Sequence, residues 1–386
     1  MRGVIAPDDG AFTIEAARAR RRLPRLFADY LDGGAHGEKT ILANRAAFTR
    51  WSLLPRGLRD VSCIDQQTTC FGMALKAPVL LSPVGFAGLF HSDGEIGAAR
   101  AAERCGIASA LSSFSIHALE EVAAVKAPLM AQLYILRDRG VTQDMLDRAA
   151  ASGVGTLVLT IDTAITPLRP RDIRNGFRDR VRPSLGQSMG LARHPAWLLD
   201  RLRARRNDLG TMGRYTGARG IMGQARDIAS RIDPTLSWAD LEMLRACWKG
   251  RLVLKGVLHP DDARQAVSCG VDGLILSNHG GRQLDPSPSP LTMLPDILDA
   301  TQDRLDVVVD GGVRHGGDVV TALALGARAV SLGRPWAWAL AAGGTKNVET
   351  ALHRLIRETA DCMALTGLCT IQALREAGRT VLHSDG

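Results

Sequence analysis

The chain alternates between short, continuously apolar runs and longer segments whose apolar residues recur at helical spacing. Eight of the runs have the length of strands, at residues 77–83, 108–113, 129–134, 156–162, 251–256, 273–278, 306–311 and 329–333. Continuous apolar runs are typical of parallel strands that are covered on both faces. Helical patterns lie between them, for example at residues 94–105, 142–152, 261–269 and 317–325. Eight such units predict an α/β fold, the (β/α)8 TIM barrel.

The spacing of the runs predicts an insertion. Most neighbouring runs begin about 20 to 35 residues apart, but about 95 residues separate the starts of the fourth and fifth. We therefore expect an insertion at about residues 165–235, after strand 4, on the face where TIM barrels build active sites. Residues 1–75 precede the barrel, with helical patterns interrupted at Pro24. The predicted organisation is an N-terminal helical segment, 1–75, packing on a barrel of residues 76–386.

Nearly every predicted strand ends in polar side chains. They are Ser82, Ser112, Gln132, Tyr134, Thr160, Asp162, Lys255, Ser277, His279, Asp310 and Arg334. One such residue could be a helix cap, but the C-terminal ends of all barrel strands converge on one face. Polar ends on nearly every strand favour a functional site there.

The most specific stretch follows the sixth run and reads Ser-Asn-His-Gly-Gly-Arg-Gln-Leu-Asp, residues 277–285. A histidine that can take a proton, near an arginine that can clamp a carboxylate, is a catalytic pairing. The alternative is a capped loop with a solvated arginine. The polar strand ends elsewhere favour the catalytic interpretation of His279 and Arg282.

Two further loops favour a phosphate-bearing ligand. Asp310-Gly-Gly-Val-Arg314 and Gly333-Arg334 follow strands 7 and 8, where TIM barrels often bind phosphate. Lys255 ends strand 5, and a lysine in a barrel mouth is costly unless it is paired or used. It could form a Schiff base or hold negative charge on a cofactor ring.

Composition narrows the class of protein. The net charge of +8 is compatible with acidic substrates, anionic cofactors or a membrane surface, and the absence of a nucleic-acid-binding motif argues against nucleic acid. No stretch predicts a transmembrane helix or a secretory signal. Seven scattered cysteines lack metal-site spacing, so we expect no metal and a cytoplasmic protein with reduced thiols.

These features together resemble the FMN-dependent L-2-hydroxy acid oxidase and dehydrogenase family, which includes glycolate oxidase and flavin-type lactate and mandelate dehydrogenases. The resemblance covers about residues 12–380. Its most specific stretch is 277–285, and others are LPRLFADYLDGGA at 23–35, QLY at 132–134, LTIDT at 159–163, VLKG at 253–256, VVDGGVRHG at 308–316 and LGRP at 332–335. It implies FMN as cofactor and oxidation of a small 2-hydroxy acid.

The resemblance also implies roles for individual residues at the reacting centre. His279 would be the base, supported by Asp162, and Lys255 would face flavin N1 and O2. The residues implied in substrate binding are Tyr30, Tyr134, Arg169, His279 and Arg282.

A second set of roles concerns the cofactor. The residues implied around the flavin ring are Pro83, Val84, Gly85, Ser112, Gln132, Thr160 and Ser277. Those implied at the ribityl phosphate are Asp310, Gly312, Arg314, Gly333 and Arg334. The stretch 164–172 is similar to the lactate and mandelate dehydrogenase branch, whereas Val84 stands where many relatives have threonine.

The insertion suggests an electron acceptor. Residues 178–206 carry eight arginines around the apolar stretch 195–199, a composition that can seat a segment at lipid headgroups. The alternative is a solvated surface loop. Because quinone-linked relatives use this insertion at the membrane, we expect residues 178–210 to bind the cytoplasmic face of the inner membrane peripherally, with quinone as acceptor.

Other functions remain open at this point. A relative within the family would pass electrons to O2 and make H2O2. Outside it, a non-redox FMN barrel isomerase or a barrel acting only as a binding module would be possible. The resemblance further implies a homo-oligomer, often a tetramer. Neither the particular 2-hydroxy acid nor a hydride or carbanion mechanism follows from the sequence.

Overall fold

Eight parallel strands close into a barrel in the computed structural model, which describes residues 10–177 and 184–384. We number them β1 to β8 in chain order. They span Val79–Leu81, Ala108–Leu111, Leu129–Leu133, Thr156–Thr160, Arg251–Val257, Gly273–Ser277, Asp306–Asp310 and Ala329–Leu332. Each pairs in parallel with its neighbour in sequence, and β8 pairs with β1. The predicted TIM barrel is confirmed, with one strand in each of the eight apolar runs.

Alternate side chains on each strand share one small cluster, which fills the inside of the barrel. Its strand residues are Leu80, Ala108, Ala110, Met130, Val158, Val253, Ile275, Val308 and Ala329. Because side chains alternate faces along a strand, the position two residues further on continues on the inside. Those positions are polar on all eight strands: Ser82, Ser112, Gln132, Thr160, Lys255, Ser277, Asp310 and Ser331. The sequence therefore places a polar layer directly above an apolar one.

The opposite end of the barrel is closed by a hairpin. Its strands, Thr68–Cys70 and Met73–Leu75, pair antiparallel, and Phe71 at the turn is buried within the same inner cluster. A Cβ added to Gly273 would lie 2.3 Å from Cε1 of Phe71, so only glycine leaves room for this plug. The N-terminal segment thus caps the end away from the polar layer.

The helices that surround the barrel mostly follow the predicted patterns. They span Ala87–Phe90, Gly94–Cys105, Leu119–Ala123, Arg139–Ala151, Trp238–Cys247, Pro260–Ser268, Pro290–Thr301, Gly316–Ala324, Arg334–Leu365 and Ile371–Ala377. The long segment Arg334–Leu365 consists of two helices, because the backbone at Gly343 and Gly344 is not helical. A strand near the end of the chain, Leu382–Ser384, pairs antiparallel with Trp51–Leu53.

The N-terminal segment also reaches the mouth of the barrel. Helices Thr13–Arg22 and Arg25–Asp32 are separated at Pro24 as predicted, and Lys39–Ala46 follows. The guanidinium of Arg334, at the end of β8, donates to the carbonyl oxygens of Leu31 (3.1 Å) and Gly33 (2.9 Å). These bonds hold the end of the second helix beside the polar layer.

The predicted insertion after β4 is confirmed. Its helices span Pro170–Asn175, Leu185–Ala192, Pro195–Leu202 and Gly220–Ser230, with a 3-10 turn at Gly213–Tyr215. Part of the predicted basic stretch, residues 178–183, lies outside the described residues. No helix among the described residues is both long and apolar enough to span a membrane.

Candidate active site

The polar layer of the barrel is one hydrogen-bonded network centred on Asp310. This carboxylate accepts from the hydroxyls of Ser82 (2.6 Å) and Ser277 (2.8 Å), and its Oδ2 lies 2.9 Å from Nζ of Lys255. The lysine also donates to Ser277 (2.9 Å), and Ser82 contacts the hydroxyl of Ser331. Lys255 is therefore paired with Asp310, which removes the cost of burying it alone.

Lys255 and Asp310 each stabilise the charged form of the other. Burial on its own would raise the pKa of Asp310, but Lys255 and the serine hydroxyls outweigh it and lower that pKa. Burial likewise opposes the charge of Lys255, yet Asp310 and Asp162 hold the pKa of Lys255 above its usual value. The layer therefore carries a charged ammonium, which is suited to stabilising negative charge on a ligand above it.

His279 lies above this layer, held against Asp162. Its Nδ1 is 3.0 Å from Oδ1 and 3.3 Å from Oδ2 of that carboxylate, and its backbone N–H donates to Ser277. The residue has φ +57°, which is uncommon for a side chain other than glycine. Burial lowers the pKa of His279 more than Asp162 raises it, which favours the neutral imidazole that can accept a proton at Nε2.

Arg282 lies in the same loop as His279, beside Tyr30. Nη1 of Arg282 donates to the carbonyl oxygens of Tyr30 (2.6 Å) and Gly33 (3.0 Å), and its guanidinium carbon stands 4.5 Å from the centre of the Tyr30 ring. Nη2 of Arg282 is buried and has no hydrogen-bond partner among the residues that the structure describes. A buried guanidinium nitrogen without an acceptor is costly. The site therefore fits an anionic ligand.

Two adjoining cavities meet at this point. Tyr30, Pro83, Gly85, His279 and Arg282 line both. The first, of about 120 Å³, continues along β7 and β8 and we call it the phosphate-side cavity. The second, of about 240 Å³, continues toward the insertion and we call it the outer cavity.

Basic side chains and glycines of the C-terminal strand ends border the phosphate-side cavity. Val84, Lys255, Asp310, Gly312, Arg314, Gly333 and Arg334, to which the resemblance gives roles in cofactor binding, all line it. Arg334 is bonded to three carbonyl oxygens, the third being that of Gly280 (2.8 Å). Burial, together with Arg282 and Arg314, lowers the pKa of Arg334. Such a concentration of guanidinium groups favours binding of an anion.

Gly312 also has a packing reason to be glycine. Its φ is +86°, and an added Cβ would lie 2.2 Å from the carbonyl oxygen of Asn44. Asn44 in turn exchanges two side-chain hydrogen bonds with Asn278, of 2.8 and 2.7 Å. Sequence inspection did not single out either asparagine, although they join the N-terminal segment to the loop of His279.

The comparisons with known proteins agree with this architecture. Residues 19–380 match the family of FMN-dependent dehydrogenases. The chain belongs to that family. It is 44% identical to an L-lactate dehydrogenase of Caulobacter vibrioides over 370 residues, 93% of this chain and 94% of the relative. An L-lactate dehydrogenase of Stenotrophomonas maltophilia is likewise 44% identical, over 92% of this chain and 95% of the relative.

Solved structures show the same fold throughout. A structure of (S)-mandelate dehydrogenase, described as a monotopic membrane protein, superposes with a TM-score of 0.91 at 33% identity and covers 98% of this chain and 100% of that one. A structure of mandelate oxidase has a TM-score of 0.82 at 34% identity, covering 98% of each chain. The expected family, fold and cofactor are confirmed.

Unpartnered polar atoms in the barrel of this FMN-dependent dehydrogenase fit the cofactor. Ser113 N–H donates to Oε1 of Gln132 (3.0 Å). Nε2 of Gln132 and the hydroxyl of Thr160 are buried, and neither has a hydrogen-bond partner within the described part of the chain. Ser112 is also buried, and its hydroxyl accepts from the N–H of Phe114 (3.1 Å). Because buried polar groups are normally bonded, two orphaned donors on neighbouring strands suit the polar edge of a flavin ring, with Lys255 beside them.

Tyr134 and Arg169, to which the resemblance gives roles in substrate binding, both line the outer cavity. Burial raises the pKa of Tyr134, which keeps its hydroxyl protonated and able to donate. Arg169 is buried and donates to the carbonyl of Arg282 (3.3 Å) and to Oε1 of Gln283 (3.4 Å). Gln283 in turn donates to the carbonyl of Asp162 at 2.6 Å. Gln283 was not identified from sequence, although it lies in the most specific stretch.

Aromatic side chains line part of the outer cavity. Phe86, Phe114 and Phe177 are among them, and the ring of Phe177 stacks on Tyr30 with centres 4.4 Å apart. Met222, on the helix Gly220–Ser230, completes an apolar side. Phe177 and Met222 lie in the insertion, where residue spacing alone does not indicate that they reach the barrel mouth.

Part of the apolar stretch 195–199 is buried, contrary to the expectation that this stretch lies at lipid headgroups. Trp197 is buried, with its indole N–H donating to the carbonyl of Leu89 (2.8 Å) and its ring 5.1 Å from that of Phe27. Trp197 therefore fixes the insertion to the barrel instead of facing lipid. The most exposed apolar residues of helices Leu185–Ala192 and Pro195–Leu202 are others: Leu185 (79%), Met189 (54%), Leu199 (60%) and Leu202 (82%). We call these four the apolar ridge.

Proposed function

We propose that the site oxidises an L-2-hydroxy acid to the 2-keto acid with His279 as the base. Family membership makes the chain an FMN-dependent 2-hydroxy acid oxidoreductase. When bound, FMN supplies the acceptor for the two electrons that leave the substrate α-carbon. The observation that carries the residue assignment is the meeting of His279, Arg282 and both cavities at one point.

His279, supported by Asp162, would accept the proton of the substrate hydroxyl. Nδ1 of His279 faces Asp162, which leaves Nε2 to take the proton of the substrate hydroxyl. The imidazolium that forms is stabilised by the carboxylate, so charge is compensated where it develops. Loss of that hydroxyl proton, together with the α-proton and the two electrons of the α-C–H bond, converts the hydroxy acid into the keto acid.

Arg282 would fix the substrate carboxylate through its unpartnered Nη2, with Tyr30 beside it. Arg169 and Tyr134 line the same cavity and would add a second cation and a hydroxyl donor. A carboxylate held by such groups places the α-carbon in one position relative to His279, which lowers the entropic barrier to reaction. The predicted roles of these four residues are thus retained as proposals.

The apolar side of the outer cavity supports a substrate with an apolar side chain. Phe86, Phe114, Phe177 and Met222 offer no charged partner and ample aromatic surface. A methyl group, as in L-lactate, or a phenyl group, as in L-mandelate, would suit this surface. Relatives named for both acids agree with this class of substrate.

We propose a membrane quinone as the electron acceptor and peripheral attachment to the cytoplasmic face of the inner membrane. The apolar ridge is exposed on helices Leu185–Ala192 and Pro195–Leu202, and the exposed Arg193, Arg203 and Arg205 lie close to it in sequence. Exposed apolar side chains with flanking cations suit the boundary of anionic lipid. The structural neighbour described as a monotopic membrane protein supports this assignment. A homo-oligomer stays a prediction.

An anaerobic titration tests the reaction and its acceptor. We expect L-lactate or L-mandelate to bleach the flavin of the wild-type protein, with fast reoxidation by a soluble quinone and slow reoxidation by air. Fast reoxidation by air with formation of H2O2 would instead show an oxidase. Absence of bleaching by every 2-hydroxy acid tried would refute the proposed reaction.

Vesicle sedimentation tests the attachment separately. The double variant Leu199→Gln/Leu202→Gln should bind vesicles containing anionic lipid much more weakly than the wild type, with unchanged flavin reduction. A matched double variant of exposed leucines elsewhere, Leu42→Gln/Leu365→Gln, should bind like the wild type. Equal binding by all three proteins would refute a role of the ridge.

A further inference from the structure

A buried carboxylate outside both cavities joins the two loops that form one side of the site. Glu95 lies near the start of helix Gly94–Cys105 and is 5% exposed. Its Oε1 accepts from the backbone N–H groups of Ala87 (3.1 Å) and Ile116 (3.0 Å). Its Oε2 accepts from the backbone N–H of His117 (3.3 Å) and lies 2.8 Å from Nδ1 of that histidine. Glu95 thus connects the loop after β1 with the loop after β2.

These loops form what we call the two-loop wall, residues 83–87 and 112–117. On its cavity side, the wall supplies Pro83, Gly85, Phe86, Ser112 and Phe114 to the outer cavity. The rings of Phe86 and Phe114 contact each other with centres 5.8 Å apart. Glu95 itself lines neither cavity, so any effect that it has on the substrate passes through the wall.

The backbone of the two-loop wall at Phe86 has an unfavourable conformation that neighbouring contacts must stabilise. Phe86 has φ +63°, a left-handed backbone that bulky residues rarely adopt. The two peptide groups beside it are both fixed. Phe86 N–H donates to the carbonyl of Phe114 (3.0 Å), and the next N–H, of Ala87, donates to Glu95. Such conformations persist only where the surroundings determine them.

Close packing extends the same unit to the insertion. A Cβ on Gly88, in the helix that follows the first loop, would lie 2.7 Å from Ile116, so this helix packs directly against the second loop. The N–H of Gly210, in the insertion, donates to the carbonyl of Ile116, and the hydroxyl of Thr211 donates to that of His117. This part of the insertion is therefore bonded to Ile116 and His117, whose backbone N–H groups donate to Glu95.

We infer that Glu95 is a positioning residue that sets the discrimination of substrate side chains by holding Phe86 and Phe114. This inference rests on the proposed function, because it assumes that the substrate side chain lies in the outer cavity. His279, Asp162 and Arg282 belong to loops that follow β4 and β6. Disturbing the wall should therefore change the fit of a large side chain more than it changes proton removal.

The test compares Glu95→Gln and Glu95→Asp with the wild-type holoenzyme. In Glu95→Gln, the amide NH2 group would face the backbone N–H of His117, so that two donors would meet. In Glu95→Asp, the side chain is shorter by one methylene group. We expect kcat/KM for L-mandelate to fall about tenfold more than that for L-lactate, comparable with the loss of a fitted methylene in an apolar pocket. The deuterium isotope effect on flavin reduction by lactate should stay unchanged. Glu15→Gln, at a buried carboxylate paired with Arg354 (2.7 Å), is the matched control and should leave the ratio unaltered.

A binding measurement distinguishes an effect of Glu95 on substrate side-chain binding from an effect on the reaction itself. Phenylacetate and acetate cannot react, and their dissociation constants can be followed by perturbation of the flavin spectrum. Only phenylacetate should bind more weakly to the Glu95 variants. The same should hold for His117→Leu, which removes the Nδ1 contact but keeps the carboxylate and decides the matter if the Glu95 variants do not fold. Equal losses for both ligands, or none, would overturn the inference. If no 2-hydroxy acid reduced the flavin of the wild type, the proposed function would be refuted instead. The binding of phenylacetate and acetate would still show whether Glu95 shapes the two-loop wall.

Discussion

Asp162 faces the imidazole nitrogen of His279 opposite the one proposed to take the substrate proton, so its charge can be removed with little change in shape. In Asp162→Asn the amide still offers an oxygen to the N–H of the ring, but no longer a negative charge. The proposed mechanism places a positive charge on the imidazole only during the reaction. The variant therefore tests whether Asp162 stabilises that charge.

The size of the effect follows from the separation of the two groups. The nearest atoms, Nδ1 and Oδ1, are 3.0 Å apart. Unit charges about 4 Å apart attract by about 4 kcal/mol at an effective dielectric constant of about 20. Since about 1.4 kcal/mol corresponds to a factor of ten in rate, we expect flavin reduction to slow up to about a thousandfold.

Stopped-flow flavin reduction under anaerobic conditions measures this rate directly. The dissociation constant of acetate should stay within about threefold of the wild type, because Arg282 is untouched, and a much larger change would mean that the site itself had been disturbed. Asp306→Asn, at the opposite end of the barrel, replaces a carboxylate bonded to Phe71 N–H (2.7 Å) and should leave the rate unchanged. A loss below about tenfold in Asp162→Asn would refute the assigned role.

The same pair predicts a pH dependence. Burial lowers the pKa of His279 below its usual value of 6.5, and Asp162 opposes this shift. Because the base works unprotonated, kcat/KM should fall only as the pH drops below about 6.5. Asp162→Asn removes a group that raises the pKa of His279, so the acid limb should move to still lower pH. Movement in the other direction would contradict the assignment.

Two further changes test the parts around this centre. In Gln283→Glu, a carboxylate would replace the amide that Arg169 contacts and would lose the donor to the Asp162 carbonyl, so we expect a substrate KM about tenfold higher in steady-state kinetics. An unchanged KM would show that Arg169 does not depend on this contact. Gly273→Ala should destabilise the barrel by about 1–3 kcal/mol in urea unfolding, because the new methyl group would overlap Phe71. Gly155→Ala, where a Cβ meets nothing, is its control, and equal midpoints would contradict the plug.

Much of the barrel was predictable because its physical causes are local. Strands buried on both faces need continuous apolar runs, and the polar layer follows from the alternation of side chains along each strand. His279 and Asp162 are 117 residues apart, yet both follow strand ends, so the fold alone brings them to one face. The residues that follow the strand ends could therefore be assigned to one face before any distance was known.

The residues that were missed have causes that are not local. The sequence does not mark Glu95, because glutamate is common in the first turn of a helix. Its contacts with Ala87, Ile116 and the backbone and side chain of His117 become visible only once the loops are packed. Phe177 and Met222 belong to an insertion whose path over the mouth has no signature in its spacing. Trp197 was misjudged although a signal existed. It shares a buried helix face with Asp200, three residues on, whereas Leu199 and Leu202 share the exposed one.

The buried face of the insertion gives it an influence on the substrate that differs from membrane attachment. Trp197 contacts Phe27, whose ring lies 6.1 Å from that of Phe177, and Phe177 stacks on Tyr30 in the outer cavity. Trp197→Ala would remove about 3–5 kcal/mol of packing and the bond to Leu89, which frees this row of rings to shift. We expect KM for L-mandelate to rise about tenfold or more, since small displacements of positioning groups are costly. Vesicle binding should persist, because the apolar ridge is unchanged. The opposite pattern, intact KM with lost vesicle binding, would show that Trp197 serves the membrane after all.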